Sequence, residues 1–274
     1  MRNLSLKSLV GFALQHDWDS DDRWKAIAEL QARGSPETLA VARRLAKSRN
    51  YRKRALGLNI ASQLRRRDKS APLGSVEYAL EATQEMLLAG LRDASVDVLG
   101  AAISGLGHRP HPWALPTLVQ LADHSNENIR FSVAVALGSY HEPVAIDALM
   151  LLAKDQANDV RDWATFGIGS MQDADSPKVR ESLWSNIHDP DAGVRGEALV
   201  GLAARKDERV IPILLERLTI DCQVFELDAA EWMASPQLLD SLCRIKDTAI
   251  NDGCDLDGYW YKCLLRAIDA CSPK

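Results

Sequence analysis

A short motif returns seven times along the 274 residues: an apolar residue, usually arginine next, a small residue three further on, and an apolar pair that closes a helix. Four copies are strict: Tyr51-Arg52 with Ala55, Ile129-Arg130 with Val133, Val160-Arg161 with Ala164, and Val194-Arg195 with Ala198. Asp22-Arg23 with Ala26, Val98-Leu99 with Ala102 and Phe225-Glu226 with Ala229 are looser copies. The anchors at 23, 52, 99, 130, 161, 195 and 226 stand 29, 47, 31, 31, 34 and 31 residues apart, a period that belongs to repeat architectures. Each unit can bury its apolar face only against its neighbours, so the chain is expected to expose a long curved surface rather than one closed pocket.

The unit from Asn126 to Asp155 sets out the grammar. Asn126 caps a helix that places Ile129, Val133, Ala136 and Leu137 on one face and closes at Gly138. A short link leads to Pro143 in the first turn of a second helix, which buries Ile146, Leu149 and Ala153. The same reading gives Val96 to Gly107 then Pro112 to Ala122, Asp159 to Gly169 then Pro177 to Ile187, and Asp191 to Ala203 then Arg209 to Leu218. Gly107, Gly138 and Gly169 recur at steps of 31 and are expected where a helix ends in a left-handed or tight backbone. Antiparallel helix pairs follow.

The array is expected to be a single domain over 1–274, with a cap helix in 1–19, repeats over 20–249 and a C-terminal cap in 250–274. The long interval between Arg52 and Leu99 holds a polar insertion near 65–76, read as a mobile loop. The N-terminus lacks a signal peptide's apolar core, and apolar stretches are interrupted by charge, so a cytoplasmic location is expected. The five cysteines, at 222, 243, 254, 263 and 271, include no Cys-x-x-Cys pair and are expected to be reduced.

Val-Arg-x-x-Ala steps, Leu-Gly or Ile-Gly endings, links with Pro and trailing Asp resemble HEAT-like repeats of the type named after phycobilisome bilin lyases, across most of residues 20–245. The segments Asp159-Val160-Arg161-Asp162-Trp163-Ala164-Thr165-Phe166-Gly167 and Val194-Arg195-Gly196-Glu197-Ala198-Leu199-Val200-Gly201-Leu202-Ala203 carry it most clearly, and are similar to units in bacterial members. The resemblance implies an all-α fold, a right-handed α-solenoid of about seven HEAT-like helix pairs with capping helices at both ends. The repeat serves many tasks, so it implies no one function.

Arg52, Arg130, Arg161 and Arg195 are read as a scaffold ladder, each bonding Asp side chains or helix-end carbonyls of an adjacent unit. His108, His111 and His141 sit in inter-helix links with His124 nearby, but His141-Glu142 is the one His-Glu step, too few ligands for the paired iron of HEAT-like deoxyhypusine hydroxylases. No metal or other cofactor is expected. Second helices are expected to line the concave side and to present Trp113, Thr117, Gln120, Asp147, Leu151, Lys178, Glu181, Ser185, Arg209, Glu216, Asp240 and Arg244. Trp113 and Trp184 are the candidate anchors there, Trp184 being equally compatible with a core position, while Trp24, Trp163 and Trp232 are assigned to structural packing.

Residues 1–70 hold 16 Lys/Arg against 7 Asp/Glu, and residues 71–274 hold 17 against 31. The basic segment groups Arg43, Arg44, Lys47, Arg52, Lys53 and Arg54 with Arg65, Arg66 and Arg67. It could contact nucleic acid, headgroups or an acidic protein, or be a solvated face; without interleaved aromatics the nucleic-acid reading is disfavoured. The acidic remainder favours a protein partner with a basic surface. The function expected is therefore a non-enzymatic scaffold or adaptor that binds its partner in the concave groove, in one version an immunity protein neutralising a basic toxin. The alternative is an enzyme of the HEAT-like class, bilin-lyase-like or DNA-glycosylase-like.

Overall fold

A computed structural model of the chain describes residues 1–273. It is an all-α solenoid with one small hairpin, and divides into two compact units, 1–145 and 146–274. In the first unit the order is α1 (Leu6–Gln15), α2 (Asp21–Gln31), α3 (Pro36–Ala46), α4 (Tyr51–Ser62), α5 (Leu80–Gly90), α6 (Val96–His108), α7 (Leu115–Leu121) and α8 (Glu127–Leu137). The division falls within α9 (Pro143–Leu152). The second unit continues with α10 (Asn158–Phe166), α11 (Pro177–Asn186), α12 (Ala192–Ala204), α13 (Val210–Arg217), α14 (Val224–Met233), α15 (Leu239–Asn251) and α16 (Tyr259–Cys271). Among the described residues, no helix is long and apolar enough to cross a membrane.

Local chemistry sets the helix starts. Ser20, Ser35, Asn50, Asn126, Ser176 and Asp191 each accept a backbone N–H of the first turn, and Pro36 and Pro177 open α3 and α11 where a missing N–H costs nothing. The core of the first unit gathers Leu9 and Ala13 of α1, Ala26, Ile27 and Leu30 of α2, and Leu56, Ile60 and Leu64 in and after α4.

The recurring glycines act differently from expectation. None of Gly107, Gly138 and Gly169 has a positive φ; Gly107 lies inside α6 and Gly169 inside a π turn, Gly167–Met171, that extends α10. Close packing is the reason at two of them. A Cβ on Gly107 would stand 3.0 Å from the Ala136 Cα, and one on Gly169 would stand 3.1 Å from the Glu197 carbonyl oxygen and 3.2 Å from the Gly201 Cα.

The insertion is also not the loop expected. Residues Arg65–Arg67 (β1) and Ser75–Glu77 (β2) pair antiparallel, with Arg66 opposite Val76. The buried Arg109 fastens the hairpin's base: its guanidinium donates to the carbonyls of Ser62 (2.9 Å) and Leu64 (2.5 Å), which precede β1, and to the Thr83 hydroxyl. Arg205 plays the same part in the second unit, donating to the carbonyls of Ile168, Gly169, Gln172, Ala174 and Gly201 at 2.7–2.9 Å and so satisfying the irregular backbone around the π turn.

The arginine ladder exists with one change of register. Arg130, Arg161 and Arg195 each donate to the carbonyls six and five residues back, in the link preceding their helix. In α4 that position belongs to Arg54, which donates to Ser48 and Arg49, and not to Arg52, which reaches the His16 carbonyl at 3.3 Å. Arg161 also grips both oxygens of Asp189 at 2.9 Å, and Arg54 grips those of Asp93 at 2.7 and 2.8 Å, each carboxylate coming from the next unit.

Candidate functional site

Helices α2, α4, α6 and α8 pack on one another in succession in the first unit, as do α10, α12, α14 and α16 in the second, while each of α3, α5, α7, α11, α13 and α15 lies against the helix that follows it and barely meets its own kind. Small residues permit the close approach: a Cβ on Gly201 of α12 would stand 2.6 Å from the Gly169 Cα, and Gly196 leaves room for the Phe225 ring of α14. A stack bends toward the side on which its elements are closest. Within each unit the motif-bearing helices therefore form the inner side, which corrects the expectation that the second helices line the concave face.

The residues singled out on second helices are mostly exposed. Trp113 is 79% exposed, edge-on to the His111 ring at 5.4 Å. Gln120, Asp147, Leu151, Lys178, Glu181, Ser185, Glu216, Asp240 and Arg244 are exposed and Thr117 is half-buried. Several neutralise one another. Lys178 meets Asp147 at 2.6 Å, and Arg209 meets Asp207 at 2.8 Å and Glu181 at 3.4 Å while its guanidinium stacks 4.5 Å over Trp184, which is half-buried. In the basic patch Arg43, Arg44, Lys47, Lys53, Arg66 and Arg67 are exposed, whereas Arg54 and Arg52 are engaged as described and Arg65 donates to Ser75. The hairpin sets Arg66 and Arg67 beside Arg2 and Arg33 around a shallow cavity.

The tryptophans assigned to packing stand open on the inner-side helices: Trp24, Trp163 and Trp232 are 48%, 37% and 55% exposed. The helices have enough apolar residues to close their cores without them. In the second unit these aromatics flank a line of carboxylates, Asp162 on α10, Glu197 on α12, and Asp228 and Glu231 on α14. Burial pushes the Glu197 carboxyl up to about 7, and the charges of Asp162 and Asp228 add to the effect. Burial also raises Asp162, with Asp191 and Asp159 adding to it, and one Asp162 oxygen is enclosed without a hydrogen-bond partner. Arg266 of α16 closes the far end, 2.9 Å from Glu231 and 3.3 Å from Asp228. The line was missed in the sequence because its members stand one or two residues after the anchor, at 162, 197 and 228, a stagger that hides their alignment. Their common feature, an acid one or two residues after the anchor in three successive units, was the available signal.

The family model for HEAT repeats matches residues 85–169 and 151–234, more than half of the chain. The chain belongs to the HEAT-repeat family. Protein YibA of Escherichia coli K12 is 29% identical over 213 residues, 76% of this chain and 73% of YibA. The X-ray structure of Escherichia coli YibA aligns with a TM-score of 0.69 at 26% identity, covering 98% of this chain and 93% of that one. Two more distant solved structures share the fold alone. The Kap95:Nup1 complex aligns with a TM-score of 0.62 at 14% identity over 97% of this chain and 40% of that chain, and the CpcE and CpcF phycocyanin lyase complex from Nostoc with 0.50 at 14% over 98% and 96%. The HEAT repeats account for the ladder and the two layers; they leave the chemistry of the exposed faces to the individual sequence.

Proposed function

We propose that this HEAT-repeat protein is a non-enzymatic interaction scaffold that seats a basic polypeptide along the inner-side helices of its second unit. The repeat fold is consistent with protein binding. The observation that carries the reading is the line Asp162, Glu197, Asp228 and Glu231, whose only ion-pair partner among the described residues is Arg266 at one end. Crowded carboxylates without internal counter-charges raise the free energy of the free protein, and a Lys- or Arg-rich segment relieves that cost on binding. Trp163 and Trp232 supply contact area beside them. Asp147, Lys178, Glu181 and Arg209 in the layer of second helices are already paired within the protein, so it offers less. Residues 146–274 carry 23 Asp/Glu against 14 Lys/Arg, which steers a basic partner toward the unit.

The specific form we favour is neutralisation of a basic toxin, since a long acidic face matched to a cationic surface speeds encounter and covers it. An acidic face repels phosphate and so opposes a glycosylase-like reading there. The likeness to the CpcE and CpcF complex is one of fold and lends no lyase activity. The test is a pull-down from native-host lysate with three proteins: wild type, Asp162→Lys/Glu197→Lys/Asp228→Lys, and Trp113→Ala/Glu181→Ala. A stoichiometric basic protein lost only with the first variant supports the reading. Loss only with the second moves the site to the second helices, and recovery of nucleic acid overturns it.

A further inference from the structure

Arg23 is a buried arginine that reaches the link before its helix, as the ladder arginines do, but has no carboxylate on its outer edge. It occupies the anchor position of α2, and its Nη1 donates to the Trp18 carbonyl at 3.1 Å, as Arg54 and Arg161 donate to their preceding links. In those two, the Nε–Nη2 edge takes both oxygens of Asp93 or Asp189. Each of these acids stands six residues before the next unit's anchor, and six before Arg54 stands Ser48, which has no charge to offer. Arg23 is 2% exposed and its Nη2 is buried with no hydrogen-bond partner. Arg195 also lacks such an acid, but its side chain is only partly buried. A buried cationic N–H group without an acceptor is costly, and an acceptor from outside would offset that cost.

The surroundings are built as a receptor. The guanidinium lies 4.0 Å from the Trp18 ring centre and 5.3 Å from that of Trp24. With Asn59, Asp97, Ser104 and Asn128 they line a cleft of about 440 Å³ on the inner-side helices of the first unit. Asn59, 8% exposed, lines the same cleft. Asp19 and Asp97 also line the cleft without coming within ion-pair distance of Arg23. Their charges weigh more heavily against a multiply charged anion than against a singly charged one, and one planar two-oxygen group matches the free edge.

We propose that Arg23 is a socket for the carboxylate of an Asp or Glu side chain presented by a polypeptide partner. The carboxylate completes the bidentate pair that Asp93 and Asp189 complete elsewhere, Asn59 bonds the adjoining peptide, and the exposed Trp24 ring is the wall that yields to admit it. This site is independent of the acidic line in the second unit and has the opposite preference.

The test uses full-length protein labelled with 5-fluorotryptophan and read by fluorine NMR, with Trp18 and Trp24 assigned from Trp→Phe variants. The probes are N-acetylglutamate N-methylamide, the corresponding lysine amide, and inorganic phosphate. The glutamate probe is expected to shift the Trp18 and Trp24 signals saturably, with half-saturation on the order of millimolar. The signals of Trp113, Trp163 and Trp232 stay in place, and the lysine amide has no effect. Arg23→Lys should weaken the response by about tenfold, because one ammonium cannot replace a two-point donor. Ser104→Glu, a like charge on an exposed wall position, should abolish it without changing the melting temperature, and serves if Arg23→Lys fails to fold. The absence of any saturable shift overturns the proposal, as does tighter binding of phosphate or a glutamate response that survives Ser104→Glu.

Discussion

Replacing Glu197 with Gln should raise the stability of the second unit at pH 8 and leave it almost unchanged at pH 5. Burial, with the charges of Asp162 and Asp228, lifts this carboxyl to about 7 from its ordinary 4.5. The folded carboxyl keeps its proton where the unfolded one has lost it, so the folded state binds more protons between those values. Stability therefore falls as pH rises across that window. If the whole perturbation reached the folding equilibrium it would amount to about 3 kcal/mol. The side chain keeps some contact with water and its acidic neighbours relax, so roughly half of that, about 1.5 kcal/mol, is expected. For a unit of this size the variant should melt about 5 °C above wild type at pH 8. The assay is thermal unfolding of both proteins from pH 5 to pH 8, followed by hydrogen exchange of the α12 amides to assign the transition. An equal melting-temperature difference at both pH values, or none at pH 8, would refute the electrostatic account. A basic peptide bound on the same line should show the reverse trend, losing affinity as pH falls through 7 and Glu197 takes up its proton.

Three further outcomes test the packing. Arg161→Ala leaves Asp189 largely buried without its partner and should destabilise the second unit by about 3 kcal/mol; Asp189→Ala should cost a similar amount, and the double variant much less than the two together, measured by denaturant titration. Arg205→Met strips donors from five carbonyls around the π turn and should lose about 3 kcal/mol or more, with hydrogen-exchange protection lost first over residues 167–172. Gly201→Ala drives a methyl group into the Gly169 backbone and should cost about 2 kcal/mol, whereas Gly11→Ala, in a helix with open space around it, should gain up to about 1 kcal/mol in the same melts.

The repeat period, the helix starts and the alternation of two kinds of helix were all readable in the sequence, because they depend on interactions within a few residues. Ser and Asn caps, Pro in first turns and apolar residues at helical spacing act locally. Which layer would form the inner side was not readable. It depends on contacts such as Gly169 against Gly201 and Gly107 against Ala136, where helices one unit apart meet through residues too small to signal their purpose. For the same reason the motif's arginine at 52 looked equivalent to those at 130, 161 and 195, although the link carbonyls select Arg54. Charge was legible as a total and not as an arrangement: Asp147 and Glu181 on second helices found partners, while Asp162, Glu197 and Asp228 came together staggered and nearly unpaired. A residue's type is a property of the chain, but whether a charge is answered is decided by what the tertiary structure sets across from it. Arg54 of α4 and Arg23 of α2 each reach back to the link before their helix, and only the first has an aspartate gripping its outer edge.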